Sequence, residues 1–482
     1  MFQKALSFRK GLFSGNPDKE EAQRAPLPES EISRNAVPAF DVGERSRSIG
    51  GQLPADSRTA AIVTALRKTA AEENELPGIV AAVGKEERIG SLPEEGLTDA
   101  RQEVLRAVKI VVGNPVAVTG RVVDVRGNGG AVEDRVARDT LFVDLRTLEN
   151  SDAVGGGALV AVDVATGQPL AIANYPTFDL QTLFQSEENY KAVSEADNQP
   201  LFNRALLGQY SPGSTFKPCT AIAGLTEGVI TTGTRIQCTG TFRKYEDTGY
   251  APKCWIASSG ATHGNDNVTE AIRDSCNIFF YTVGDSLPID TLARYAAAFG
   301  LGEHTGIELP ESTGQMATEA VKKKLENTNW YVGDSLQAAI GQSYSLFTPL
   351  QLAEYCATIA NGGTRHSASI LKSVRSYDGS ELIYENQAEV LSTVETSDYN
   401  WAAVQKGMYL VANDRAGSAY ETFGDYGVKV AAKTGTAQLG DNQVNNAIFI
   451  CYAPYDNPKV AVAVVVEHGS AGASIASIAR DF

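Results

Sequence analysis

Apolar and polar positions divide the chain into three stretches of different character. Residues 1 to about 60 are rich in Pro, Ser, Glu and Arg and show little periodicity. That predicts a disordered lead-in, because such a segment buries too little apolar area to offset the entropy of ordering it. From 61 to 150, helix-like spacing in "SRTAAIVTALRKTAAEE" and "TDARQEVLRAVKIVV" gives way to short strand-like runs in "PVAVTGRVVDVRG", the pattern of a small mixed region. The character changes again for residues 151 to 482. In "GGGALVAVDVATGQPLAIANYP" two β-rich runs flank "ATGQ", a hairpin signal. Near the other end, "VKVAAKTGTAQ" and "NAIFICYAPYDNPKVAVAVVVEHG" supply three more runs, punctuated by turn residues. Five strands bracketing a mostly helical middle predict an α+β domain: one five-stranded antiparallel sheet built from both ends of the segment, flanked by helices.

Composition narrows the function classes. The 482 residues are 43% hydrophobic and 21% charged, ordinary globular material. A net charge of −16 argues against nucleic acid or an anionic lipid surface as partner. No window reaches the ~18 consecutive apolar residues of a membrane-spanning helix, and "MFQKALSFRKGLFSGN" lacks the apolar centre of a signal peptide. His263, His304, His366 and His468 are scattered along the chain, none with a second ligand at metal-binding spacing. This predicts no metal site, no cofactor and no Ser/His/Asp triad, so a nucleophile here needs another base. All six cysteines follow residue 218. Cys238 and Cys254 could bridge a loop, although lone packed thiols are the commoner case, and the compartment stays open.

That other base has a candidate in "SPGSTFKP". Ser214 and Lys217 are three apart and share a helix face, while Pro218 places the helix start close to the serine, at its positive end. A desolvated lysine with a lowered pKa can take a serine's proton. Alone the pair is weak, since Ser-x-x-Lys arises by composition roughly once or twice in a chain of this length. Two further motifs change its weight. Ser275 and Asn277 in "SCN" offer a second hydroxyl and an amide, although such a triplet by itself is most often a helix cap or turn. Lys433, Thr434, Gly435 and Thr436 form "KTGT" on a predicted strand, where glycine lets a ligand approach the backbone and the flanking groups suit a carboxylate. The order Ser-x-x-Lys, Ser-x-Asn, Lys-Thr-Gly is that of the penicillin-recognising serine enzymes. The separations of 61 and 158 residues suit that fold.

From about residue 155 to its end the chain resembles the transpeptidase domain of class B penicillin-binding proteins, and the likeness extends to the flanks. "VDVATGQPLAIANYPTFD" is similar to that family's first hairpin, "NRALLGQYSPGSTFKP" to its nucleophile segment, and "THGNDNVTEAIRDSCNIFFY" to its second motif. "AAIGQSYSLFTPLQLAEYCATIANGG", with "WYVGDSL" before it, leans toward the elongation-type members. The resemblance implies the fold shared with serine β-lactamases. It also implies Ser214 as acylated nucleophile, Lys217 as general base, Ser275 as proton relay, Asn277 as holder of the substrate amide, and Lys433 as a source of positive field. Thr434 and Thr436 would bind the terminal carboxylate of a D-Ala-D-Ala stem peptide, with Gly435 between them. The backbone N–H groups of Ser214 and Thr436 would form the oxyanion hole. The function so implied is peptidoglycan crosslinking on the outer side of the bacterial cell membrane, with β-lactams as ligands and a glycosyltransferase and cell-wall elongation proteins as partners. A penicillin-binding sensor and a β-lactamase or D,D-carboxypeptidase are the alternatives on the same fold. The chain departs from the family in showing no membrane anchor, in lacking recognisable linker and pedestal motifs in residues 1–150, and in having Ser343 where relatives usually have glycine.

Overall fold

The computed structural model describes residues 155–482 apart from 378, 441 and 442. The readings of residues 1–60 and 61–150 lie outside the described residues. Strands β1 (Gly157–Asp163), β2 (Pro169–Tyr175), β3 (Ala431–Ala437), β4 (Asn446–Ala453) and β5 (Val460–Val466) form one sheet in the order β2-β1-β5-β4-β3. Every pairing is antiparallel, as the run pattern predicts. The hairpin between β1 and β2 closes because the Asp163 carboxylate accepts the N–H groups of Ala165 and Thr166, both at 3.0 Å. Pro169 opens β2 on the sheet's edge, where its missing N–H costs no ladder bond.

Between β2 and β3 the chain is mostly helical. The helices that matter to the site are α1 (Lys217–Thr226), α2 (Asn277–Ser286), α3 (Val332–Ala338), α4 (Pro349–Ala360) and α5 (Asp398–Asn413). All residues of α4 are buried, and it runs across β1, β4 and β5 as the centre of the core. Its apolar residues favour that position, and Gln351, Glu354 and Thr358 are buried along with them. Its start is fixed by Thr348 and Gln351, which cap each other's backbone N–H groups at 3.2 and 2.9 Å. Helix α1 is buried from Lys217 to Leu225, and α5 lies along β3. The sheet's β3 edge, the start of α1 and the start of α2 thereby meet. No helix of the described residues is long and apolar enough to cross a membrane.

Candidate active site

Ser214 lies in a single 3-10 turn, Gly213–Phe216, that leads directly into α1 with Pro218 in its first turn. The predicted helix start is therefore where the proline places it. The first-turn N–H of Cys219 has no partner within its helix and donates to the Tyr355 hydroxyl at 2.9 Å. That hydroxyl donates in turn to the Thr215 carbonyl at 3.2 Å, so the buried α4 holds the nucleophile turn. Tyr355 carries no sequence signal, because nothing in its spacing marks it off from other core positions of α4.

The three motifs converge on one hydroxyl. Lys217 Nζ donates to the Ser275 carbonyl at 2.7 Å, to Ser275 Oγ at 3.1 Å and to Asn277 Oδ1 at 2.7 Å. Lys433 Nζ donates to the same Ser275 Oγ at 2.9 Å and to the Thr434 carbonyl at 3.0 Å. Both lysines are fully buried. Desolvation pulls Lys217 down to about 8, partly opposed by the nearby thiols of Cys254 and Cys276. Lys433 is held well below its usual value by desolvation first and by the charge of Lys217 second. Ser214, by contrast, has no hydrogen bond to Lys217 among the described residues, whose three ammonium donors are taken by Ser275 and Asn277.

Ser275 stands at φ +53 between the short helix Val268–Arg273 and α2, in the left-handed region that ends helices. The reading of "SCN" as a helix-end turn is thus met, and the same turn brings the Ser275 hydroxyl to both lysines. On β3, Thr434 Oγ1 lies 2.7 Å from Ser418 Oγ, a neighbour the sequence pattern did not suggest. Gly435 also lets another part of the chain come close. A Cβ there would stand 2.8 Å from the Pro212 carbonyl oxygen and 2.8 Å from Thr215 Cγ2, so the close approach it permits is that of the nucleophile turn.

His263, which has no second ligand at metal-binding spacing along the sequence, has three cysteines beside it in the fold. Ligand atoms of Cys238, Cys254, His263 and Cys276 all lie within 4.8 Å of one another. They belong to separate elements, brought together because the strand Ile236–Cys238 pairs with Gly264–Asp266 beside His263. All six cysteines are free thiols, so Cys238 and Cys254 do not bridge. Hydrogen bonding from Cys276, then from His263, lowers the Cys254 thiol, while the same Cys254 raises that of Cys276. Three sulfurs and an imidazole nitrogen form a set that suits a tetrahedral thiophilic cation such as Zn²⁺. The cluster adjoins the chemistry: Cys276 lies between Ser275 and Asn277, and the Asn277 N–H donates to Cys254 Sγ at 3.3 Å. A cation held there would supply no reacting group; it would brace the turn carrying Ser275.

The chain is similar in sequence and fold to known proteins. The peptidoglycan D,D-transpeptidase MrdA of Escherichia coli is 34% identical over 366 residues, which cover 70% of this chain and 56% of that protein. The chain thus spans little more than half of that relative's length. Among solved structures, Pseudomonas aeruginosa PBP2 in complex with WCK 5153 aligns with a TM-score of 0.62 at 29% identity, over 72% of this chain and 75% of that one. Helicobacter pylori PBP2 in complex with MreC aligns at 0.60 and 28%, over 71% and 61%. Residues 157–482 match the penicillin-binding protein transpeptidase domain, a match that begins with the first strand of the sheet and takes in every strand of it. The resemblance noted from the motifs and their flanks is borne out: the chain belongs to the penicillin-binding protein transpeptidase family.

Proposed function

We propose that the chain is a serine D,D-transpeptidase of the elongation type that crosslinks peptidoglycan stem peptides and is acylated by β-lactams. The observation that carries this reading is the convergence of two desolvated lysines on Ser275 Oγ, at 3.1 and 2.9 Å, beside the turn that presents Ser214. Acyl transfer at a serine without histidine needs a neutral amine as base, and burial supplies it. The donor's terminal carboxylate binds at Thr434 and Thr436, next to Lys433. An arriving anion restores to Lys433 the charge that burial and Lys217 suppress. Asn277 holds the amide preceding the scissile bond. Ser214 Oγ attacks the carbonyl carbon while Lys217 takes its proton, and the carbonyl oxygen gains its charge against the N–H groups of Ser214 and Thr436. The C–N bond then breaks, and Ser275 passes a proton to the departing D-alanine amine, refilled from Lys217. This leaves the donor as an ester of Ser214. An acceptor amine reverses these steps and forms the crosslink.

The same reading places the domain on the extracytoplasmic side of a bacterial membrane, beside a glycosyltransferase and elongation proteins. The MreC complex of the Helicobacter pylori relative supports such a setting. A fluorescent penicillin is expected to label the chain, and Ser214→Ala to abolish the label with the fold intact; persistent labelling of that variant would sink the assignment. With a thioester donor, added D-alanine is expected to divert the acyl group from water. Rapid penicillin turnover with no aminolysis would make the chain a β-lactamase, and a stable adduct with no donor turnover would make it a sensor.

A further inference from the structure

Gly341 is bonded to Gly213, the neighbour of the nucleophile, and Gln342 to Thr436, so the two residues link the segments that carry the two N–H groups of the proposed oxyanion hole. Their position follows from α3. The Gly341 N–H donates to the Ala338 carbonyl and the Gln342 N–H to the Gln337 carbonyl, both at 3.0 Å, so the segment is a hydrogen-bonded end of that helix. Gly341 adopts φ +76, and a Cβ there would stand 2.1 Å from the Gly213 carbonyl oxygen and 2.7 Å from Phe216 Cβ. Only glycine permits that approach. Across it, the Gly341 carbonyl accepts from the Gly213 N–H at 2.8 Å and from Ser211 Oγ at 2.9 Å. Gln342 then reaches the other way, its side-chain amide donating to the Thr436 carbonyl at 3.0 Å.

Strand geometry gives that bond its meaning. In an antiparallel strand the N–H and C=O of one residue point to the same side. Strand β3 is an edge strand paired with β4 alone, so the Thr436 carbonyl bonded to Gln342 faces the open edge, and its N–H faces that edge too. Gly213 presses on the same peptide: a Cβ at 213 would stand 2.6 Å from the Thr436 oxygen and 3.1 Å from its nitrogen. Thr436 is therefore clamped between Gly213, the neighbour of Ser214, and Gln342. The Gly213–Gly341 hydrogen bond closes the ring.

We propose that Gln342 is a positioning residue for acyl transfer, its amide fixing Thr436 so that the N–H groups of Thr436 and Ser214 converge on one oxyanion. The proposal rests on the acyl-transfer reading above. Gln342 reaches no reacting atom and acts through Thr436. Deleting an oxyanion donor outright costs ~10²–10³ in rate, and loosening one costs part of that, about tenfold.

The test uses the full chain and compares the parent with Gln342→Met, which keeps the length of the side chain and loses the donor, and with Gln342→Glu. Stopped-flow acylation by benzylpenicillin separates the encounter dissociation constant from the first-order acylation step. A boronic acid whose tetrahedral adduct on Ser214 puts an oxygen in the hole reports the hole directly. The Met variant is expected to lose about tenfold in the acylation step and the same factor in boronate affinity, with the encounter constant and Tm at parent values. The Glu variant is expected to match it at neutral pH, then to gain on it as the pH falls and the carboxyl group takes up a proton to donate. Parent-like acylation and boronate affinity in the Met variant would overturn the proposal, and so would a loss shared equally with encounter binding and Tm. A parent chain that penicillin does not acylate would overturn the acyl-transfer reading itself, and this proposal with it.

Discussion

Lys217 combines complete burial with three hydrogen-bond acceptors, and those two facts pull its proton in opposite directions. Desolvation wins, bringing the amine down to about 8. A general base must be neutral to accept a proton, so the active fraction grows as pH rises through that value and is lost below it. The first-order acylation step with penicillin is expected to climb with pH and reach half its plateau near pH 8. Lys217→Ala is expected to slow that step by ~10²–10⁴ and to remove the titration. A parent profile flat from pH 6 to pH 9 would move the base to another group. The sequence made the closeness of Ser214 and Lys217 to one helix start legible, because a spacing of three around Pro218 is local geometry. It could not show that Lys217 is engaged by Ser275 and Asn277 before substrate arrives, since those contacts span 58 and 60 residues of chain.

At the scale of elements, the turn carrying Ser275 is the part least explained by its own sequence. A serine at φ +53 carries a backbone cost of order 1 kcal/mol or more, which the surroundings must hold in place. The Cys/His cluster is adjacent to that turn and contributes Cys276 from within it. The cluster was illegible because its members stand at intervals of 16, 9 and 13 residues in "QC", "KCW", "ATHG" and "SCN". Metal-site spacing rules describe ligands on one hairpin or helix, whereas these meet only after two short strands pair. If a cation is bound there, it stabilises the folded state by mass action, ~2.7 kcal/mol at a hundredfold its Kd. Zinc added to chelator-stripped protein is therefore expected to raise Tm by about 5 °C and to speed penicillin acylation. Cys238→Ser, which removes one ligand and leaves Ser275 and Asn277 in place, is expected to erase the zinc-dependent shift. A Tm indifferent to both zinc and chelator would show that the four groups are packed thiols beside a histidine and nothing more.

Over the whole domain, the site depends on a sheet whose strands come from opposite ends of residues 157–466. β5 sits between β1 from the start of the domain and β4 near its end, with Val466 in register with both Gly157 and Ala447. That closure was legible because strand runs and turn punctuation are local signals, and their order leaves few ways to form one antiparallel sheet. It also fixes which part of the chain the chemistry needs. The nucleophile turn is anchored by α4, Lys433 by β3, and Ser275 by α2 and the short helix before it, all of them inside the matched domain. The three central strands β1, β4 and β5 are buried along nearly their full length, and α4 seals one face of the sheet. A chain beginning at Ser151 is accordingly expected to fold by itself, with a penicillin acylation rate constant within about twofold of the full chain's, because every group in the described network around Ser275 lies after that point. The measurement is acylation and thermal unfolding of both chains side by side. An aggregating or unreactive short chain would mean that part of residues 1–150 completes the domain, and the boundary at 151 would then have to move toward the N-terminus.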